Sequence, residues 1–158
     1  MSLGDPCAIA FAARRAADAW YCWEQPASGF ALAGVGSAHV AVSRGSGRFD
    51  DVGRDCARLL RDRLAVEPRD LPAGAGPVWV GGFAFSPDGG TSPMWSSLPP
   101  AALTLPEAAL VRSDGRTLLT LAAVAEPGTS REELAARFRA RAASLADAAM
   151  PLLDPAPA

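Results

Sequence analysis

Lysine is absent: all 15 basic residues of this 158-residue chain are arginine. A guanidinium stays protonated at any working pH and is a poor general base. The chain alone therefore offers no lysine base, no Schiff-base lysine and no phosphate-loop lysine. Histidine occurs once, as His39. A Ser-His-Asp or Cys-His mechanism would have to use it as the base. No G-x-S-x-G elbow occurs, and His39 lies in a strand-like stretch with no motif around it, which reads as a surface or edge-strand residue. Cysteine is scarce and widely spaced, at Cys7, Cys22 and Cys56. Without a CxxC pair there is neither a zinc knuckle nor a thioredoxin motif. The expectation is three free, mostly buried thiols in a reducing cytoplasm, and no transition-metal site.

Long apolar runs are also missing, so no membrane span is expected. The start, Met1 to Asp5, lacks the basic and apolar regions of a secretory signal, and a cytoplasmic location is expected. The net charge is only -2, too small to attract nucleic acid or an anionic membrane. Aromatics make up 7 % of the chain and do not interleave with a basic stripe, so a nucleic-acid platform is not expected.

What is present suits a folded protein. The composition is 49 % hydrophobic and 20 % charged, ordinary for a globular domain. At this length about two-thirds of the unfolded surface is buried on folding. The chain fits one domain, or one large piece of a bigger one.

Asp5-Pro6 makes a good helix start, with Asp as the N-cap and Pro in the first turn. Ile9, Ala13, Ala16, Ala17 and Trp20 follow at helical spacing, predicting a helix to near Ala19. Trp20 to Glu24 reads as a strand, Pro26 to Gly29 as a turn, and Phe30 to Val35 and His39 to Val42 as two more strands. Gly34 and Gly36 mark a bulge or bend. Arg44 to Arg48 reads as a loop. A second helix starts near Asp50, with Val52, Cys56, Leu59, Leu60 and Leu64 as its apolar stripe and Arg58 paired with Asp62.

Pro68 to Pro77 is a connector. Val78 to Phe85 is apolar on both faces and is predicted to be a central strand covered on both sides. Ser86 to Pro100 reads as a loop anchored by Trp95. Leu103 to Arg112 and Thr117 to Val124 are two strands joined through the hairpin signal Asp114-Gly115. Ser130 and Glu133 form a capping box. It opens a last helix with Leu134, Phe138 and Leu145 inward and Arg131, Arg137, Arg139 and Arg141 mostly outward. The tail from Pro151 is expected to fray.

This order is not a strict alternation of strand and helix. It predicts an α+β protein with a largely antiparallel sheet flanked by helices. Asp50-Asp51 reads as the acidic start of a helix rather than a metal site. Gly34-Val35-Gly36 lacks the third glycine of a dinucleotide fingerprint. Gly81-Gly82 lies inside a strand, where close backbone packing explains both.

Four stretches in order resemble the N-terminal part of isochorismate synthases, within the chorismate-utilising enzymes. They are Trp20 to Val42, with its Gly-Phe-Ala-Leu-Ala-Gly-x-Gly segment; the helix from Phe49 to Leu64; Gly76 to Pro87, with Val-Gly-Gly-Phe-Ala-Phe; and Trp95 to Leu121. Together they span about residues 18–125. The resemblance implies the anthranilate-synthase-like fold and a parent enzyme that converts chorismate to isochorismate with magnesium. It implies a lysine base that activates water, a glutamate acid that assists loss of a hydroxyl, and further glutamates that hold the metal.

In the family these residues lie in the C-terminal half, beginning with a Lys-Val-Val-Leu-Ala-Arg-like strand. Nothing in 1–158 matches that strand. No catalytic, cofactor-binding or metal-ligating residue is therefore assigned to this chain, and magnesium is expected only in the full-length parent. No Leu-Leu-Glu-Ser-like segment occurs, so tryptophan binding of the anthranilate-synthase kind is not implied.

The expectation is thus a truncated, inactive piece: 1–128 as an N-terminal non-catalytic domain, and 129–158 as a helix and tail leading toward a missing catalytic half. A salicylate synthase parent, and a menaquinone or a siderophore pathway, all fit the same residues. The alternative is a stand-alone assembly module that forms a homodimer through exposed apolar surface, or pairs with a separate catalytic half.

Overall fold

A computed structural model describes residues 4–66 and 68–148. The expected fray from Pro151 lies outside them. The described residues form three α-helices and seven strands of the α+β kind, but the strands make two antiparallel sheets rather than one. The first sheet has the order β1 (Trp20–Gln25), β2 (Phe30–Val35), β6 (Ala108–Ser113), β7 (Arg116–Leu121), and the second β3 (His39–Ser43), β5 (Ala101–Leu105), β4 (Val80–Phe83).

Helix α1 covers Pro6–Ala12. Asp5 caps it, accepting from the Ala8 amide at 2.9 Å. It stops well short of Ala19. The Arg15 amide donates to Asp18 Oδ2 at 3.0 Å and the Asp18 amide to the Arg15 carbonyl at 3.0 Å. That closed turn takes the amides a longer helix would need.

Strands β1 (Trp20–Gln25) and β2 (Phe30–Val35) then form a hairpin. Helices α1 and α3 (Arg131–Ala148) cover one face of this first sheet. Ile9, Ala10, Ala33, Val35, Ala108, Leu110 and Leu145 are its buried centre. On the other face Tyr21 lies across Gly34, where any Cβ would overlap the phenol ring. The connector also reaches this face: the Gly76 amide donates to Thr120 Oγ1 at 3.1 Å.

Gly36, with φ of 72°, turns the chain out of the first sheet into β3 (His39–Ser43) of the second. A left-handed conformation there suits glycine and few other residues. Helix α2 is Arg48–Arg61 and packs Val52 and Cys56 onto Ala41 and Ala101, with Trp79 and Leu103 beside them. It starts two residues before the expected Asp50, because Arg48 is a buried tie rather than a loop residue. Its guanidinium donates to the carbonyls of Ala84 (2.9 Å) and Gly45 (3.1 Å). Arg58 reaches back to Asp55 at 2.7 Å instead of forward to Asp62. Leu64 lies past the helix end and is fully exposed.

The Val78 to Phe85 expectation needs the largest correction. Strand β4 is only Val80–Phe83, and it is an edge strand of the second sheet. Phe85 is fully exposed. Trp95, the expected loop anchor, is 59 % exposed on a short 3-10 turn.

Leu103 to Arg112 is not one strand but two, β5 (Ala101–Leu105) and β6 (Ala108–Ser113), one in each sheet. Pro106 has no amide to give a ladder, and the chain changes sheets there. Strand β7 (Arg116–Leu121) follows through Asp114-Gly115, with φ of 51° and 69°. Those are the positive values a two-residue type I′ hairpin requires.

The capping box forms as read: the Ser130 amide donates to Glu133 Oε2 at 2.8 Å, and the Glu133 amide to Ser130 Oγ at 3.1 Å. On α3, however, Arg141 points inward. It is 7 % exposed and donates to the Ala13 carbonyl at 3.1 Å.

Two consequences are measurable by urea denaturation. A Cβ on Gly81 would overlap the Ala102 carbonyl, whereas one on Gly82 meets nothing within 4 Å. Gly81→Ala should therefore lower stability by about 2 kcal/mol, as overpacking does. Gly82→Ala should be neutral or stabilising by up to about 1 kcal/mol through the unfolded chain. Arg141→Ala leaves Asp18 and Glu107 with Arg15 alone and should lower stability by about 3 kcal/mol. Arg139→Ala, on the exposed side, should stay within about 0.5 kcal/mol of the parent.

Candidate functional site

His39 begins β3, an edge strand, and is half-buried. Its Nε2 lies 2.7 Å from Asp55 Oδ2, which sits on α2 between the docked residues Val52 and Cys56. The Trp79 ring stands edge-on at 5.9 Å. The hydrogen bond from His39, then that from Arg58, hold the Asp55 carboxyl below the ordinary carboxylate range.

A nucleophile would have to join this pair to make a triad. Ser43, two pleats along the same strand face, donates instead to Asp51 at 2.9 Å. Cys56 is buried, and burial followed by the Asp55 charge pushes its thiol up, the opposite of activation. His39–Asp55 and Ser43–Asp51 thus act as two side-chain ties that seat α2 on β3. Asp51 belongs to the first turn of α2, as expected, and also pairs with Arg54.

Four charged groups gather where α1, α3 and the turn between the sheets meet. Arg141 Nη2 is 3.3 Å from Asp18 Oδ2, and Arg141 Nε is 3.3 Å from Glu107 Oε2. The Nε contact is an ion pair without hydrogen-bond alignment. Arg15 bonds both carboxylates from the solvent side. Burial works to raise the Asp18 pKa, but the Arg15 bonds and the two positive charges outweigh it and leave it lowered. Each acid is contacted by both guanidinium groups, so the cluster pairs two positive with two negative charges.

A cleft of about 180 Å³ opens between the two sheets, lined by Trp20, Tyr21, Val80, Thr104 and Pro106 among others. Small-molecule sites commonly span about 300–1,000 Å³. A shallow depression of about 600 Å³ follows the solvent side of α2 at Phe49, Asp50, Gly53 and Arg54. It is open to solvent, with Asp50 and Arg54 as its charged lining residues.

The cysteines depart from expectation. Cys7 and Cys22 are joined as a disulfide, with Cα atoms 5.4 Å apart, and only Cys56 is free. Asp5, Cys7 and Glu24 each place a ligand atom within 4.8 Å of the others. This group does not fit magnesium, which takes a near-octahedral shell of oxygen atoms. One of its three members is sulfur, and Asp5 is already held by Arg112 at 2.9 Å. No step through magnesium follows from these residues.

The sequence carried weak signals for these groupings. Asp5-x-Cys7 and Cys22-x-Glu24 are each spaced by two, but nothing local says that the two pairs meet. Asp55 and Glu107 look like ordinary surface acids until α2 and the sheet switch are placed.

Tyr21 is the chain's sole tyrosine, so its titration can be read directly. Its hydroxyl is buried without a partner, and burial pushes its pKa up to about 12. The folded state keeps its proton above the range where the unfolded chain loses it, near 10. Stability should therefore fall as pH rises from about 10 to about 12. Near-ultraviolet phenolate absorbance should show a midpoint near 12 in the folded protein and near 10 in urea. Equal midpoints would mean that Tyr21 is exposed.

No curated protein and no solved structure matches the chain. The sequence model described as "Chorismate binding enzyme" matches residues 2–157. That match covers nearly the whole length, including every element of both sheets, so the chain belongs to the chorismate-binding enzyme family.

Proposed function

We propose that this chain is the N-terminal, non-catalytic part of an isochorismate-synthase-like enzyme. In this reading it forms a shell of sheet and helix against a catalytic half that brings the base, the acid and the magnesium ligands. One observation carries the proposal: a chorismate-binding chain with no lysine has no counterpart for the base of the isochorismate synthases it resembles.

Two further features support it. The sole histidine is tied to Asp55 in seating α2. The outer face of the second sheet presents Val40, Val42, Val80 and Ala102, with Val40 46 % and Val42 53 % exposed. Apolar residues on an uncovered sheet face mark a surface suited to a protein partner, and the catalytic half is the partner this reading names. Magnesium, held there by glutamates, would engage the substrate carboxylate.

The test is a chorismate turnover assay with magnesium, run on this chain alone and on the chain joined to an isochorismate synthase catalytic half. No isochorismate from the first and measurable isochorismate from the second is the expected result. Isochorismate made by this chain alone would refute the proposal. Silence from both, with concentration-dependent dimerisation of the chain, would replace it with a self-assembling module.

A further inference from the structure

The N-terminus of α1 and strand β1 bring two sulfur atoms and two carboxylates to one place. Cys22 and Glu24 lie two apart on β1, so both project from the same face of the first sheet. Their partners across β2 are Ala33 and Ala31, whose small side chains leave room for α1 above that face. Cys7 and Asp5 approach from α1, with Cys7 Sγ bonded to Cys22 Sγ. Ligand atoms of Asp5, Cys7 and Glu24 all lie within 4.8 Å of one another. Cys22 and Glu24 are exposed and Cys7 is half-buried, so ions and reductants reach the group.

We propose that these residues form a redox-gated site for a soft divalent cation of the zinc class. In the disulfide form the sulfurs are not thiolates and bind no cation. When a dithiol reduces the bond, each sulfur gains a proton and the reductant becomes a disulfide. The two thiols then bind Zn²⁺ and release two protons. Cys7, Cys22 and Glu24 provide three ligands, and Asp5 or a water the fourth, the number zinc takes in tetrahedral sites.

Thiolate pairs select zinc over magnesium. Two thiolates and two carboxylates carry four negative charges, which Zn²⁺ and Arg112 at Asp5 largely offset. A peroxide closes the cycle: two metal-bound thiolates, one hydrogen peroxide and two protons give the disulfide, free Zn²⁺ and two waters. The metal and the disulfide would each fasten α1 to β1, so the fastening persists while the site changes state.

The test uses Co²⁺ as a spectroscopic probe. Reduced protein under anaerobic conditions is titrated with Co²⁺. One equivalent should give a thiolate-to-cobalt charge-transfer band and tetrahedral visible bands, both lost on adding Zn²⁺ or peroxide. The oxidised protein, which needs no substitution, should give neither. Cys56→Ser should leave the spectrum unchanged. Cys7→Ser and Cys22→Ser should abolish the charge-transfer intensity or cut it by half. Glu24→Gln should weaken binding by at least the roughly 10- to 100-fold seen when a metal ligand loses a supporting hydrogen-bond partner, because Glu24 is itself a ligand. A reduced protein with no charge-transfer band would overturn the proposal. So would a band that survives loss of both Cys7 and Cys22, or one that vanishes with Cys56.

Discussion

A guanidinium with 7 % exposure cannot rely on water, so Arg141 must find its acceptors in the protein. It finds them in three separate parts of the chain. The Ala13 carbonyl ends α1, Asp18 closes the turn before β1, and Glu107 sits where the chain passes between the sheets. A buried charge is costly unless paired, so these three segments hold one arrangement around α3. Leu145, one turn further along α3, completes the same contact by filling the apolar space over Leu110 and Ile9. Apolar burial drives the helix onto the sheet, and the charge cluster selects the position in which it settles.

That arrangement leaves the two sheets unequal. The first has helices on one face and the connector against the other. The second has α2 on one face only, fastened by His39–Asp55, Ser43–Asp51 and the buried Arg48. His39, Ser43 and Arg48 all serve to dock α2. The remaining cleft between the sheets is small, and its tyrosine hydroxyl has no partner. The second sheet carries an exposed apolar face, and the first carries a compact sulfur–carboxylate group.

Local chemistry was readable from the sequence wherever the cause is local. The Asp5 cap, the Asp114-Gly115 hairpin and the Ser130–Glu133 box each depend on atoms within four residues, and each forms as read. The α+β class followed from the order of strands and helices. Close packing explains Gly81, whose neighbour is the Ala102 backbone, but not Gly82, which has open space. Sequence alone treats those two glycines alike because the partner strand that distinguishes them is twenty residues away.

What the sequence determined by itself is the chemistry available: no lysine, one histidine, three cysteines, and apolar periodicities that commit segments to helix or strand. The tertiary structure decided where that chemistry points. Pro106 was visible as a ladder breaker, yet only the fold shows the chain changing sheets there. Arg141 matched a solvent-facing pattern, and only the meeting of α1, α3 and Glu107 turns it inward. Val78 to Phe85 was apolar on both faces, but pairing on one side alone makes it an edge. Cys7 and Cys22 became a pair for the same reason. Side-chain periodicity is set by neighbours along the chain, whereas burial, pairing and ligation are set by neighbours in space.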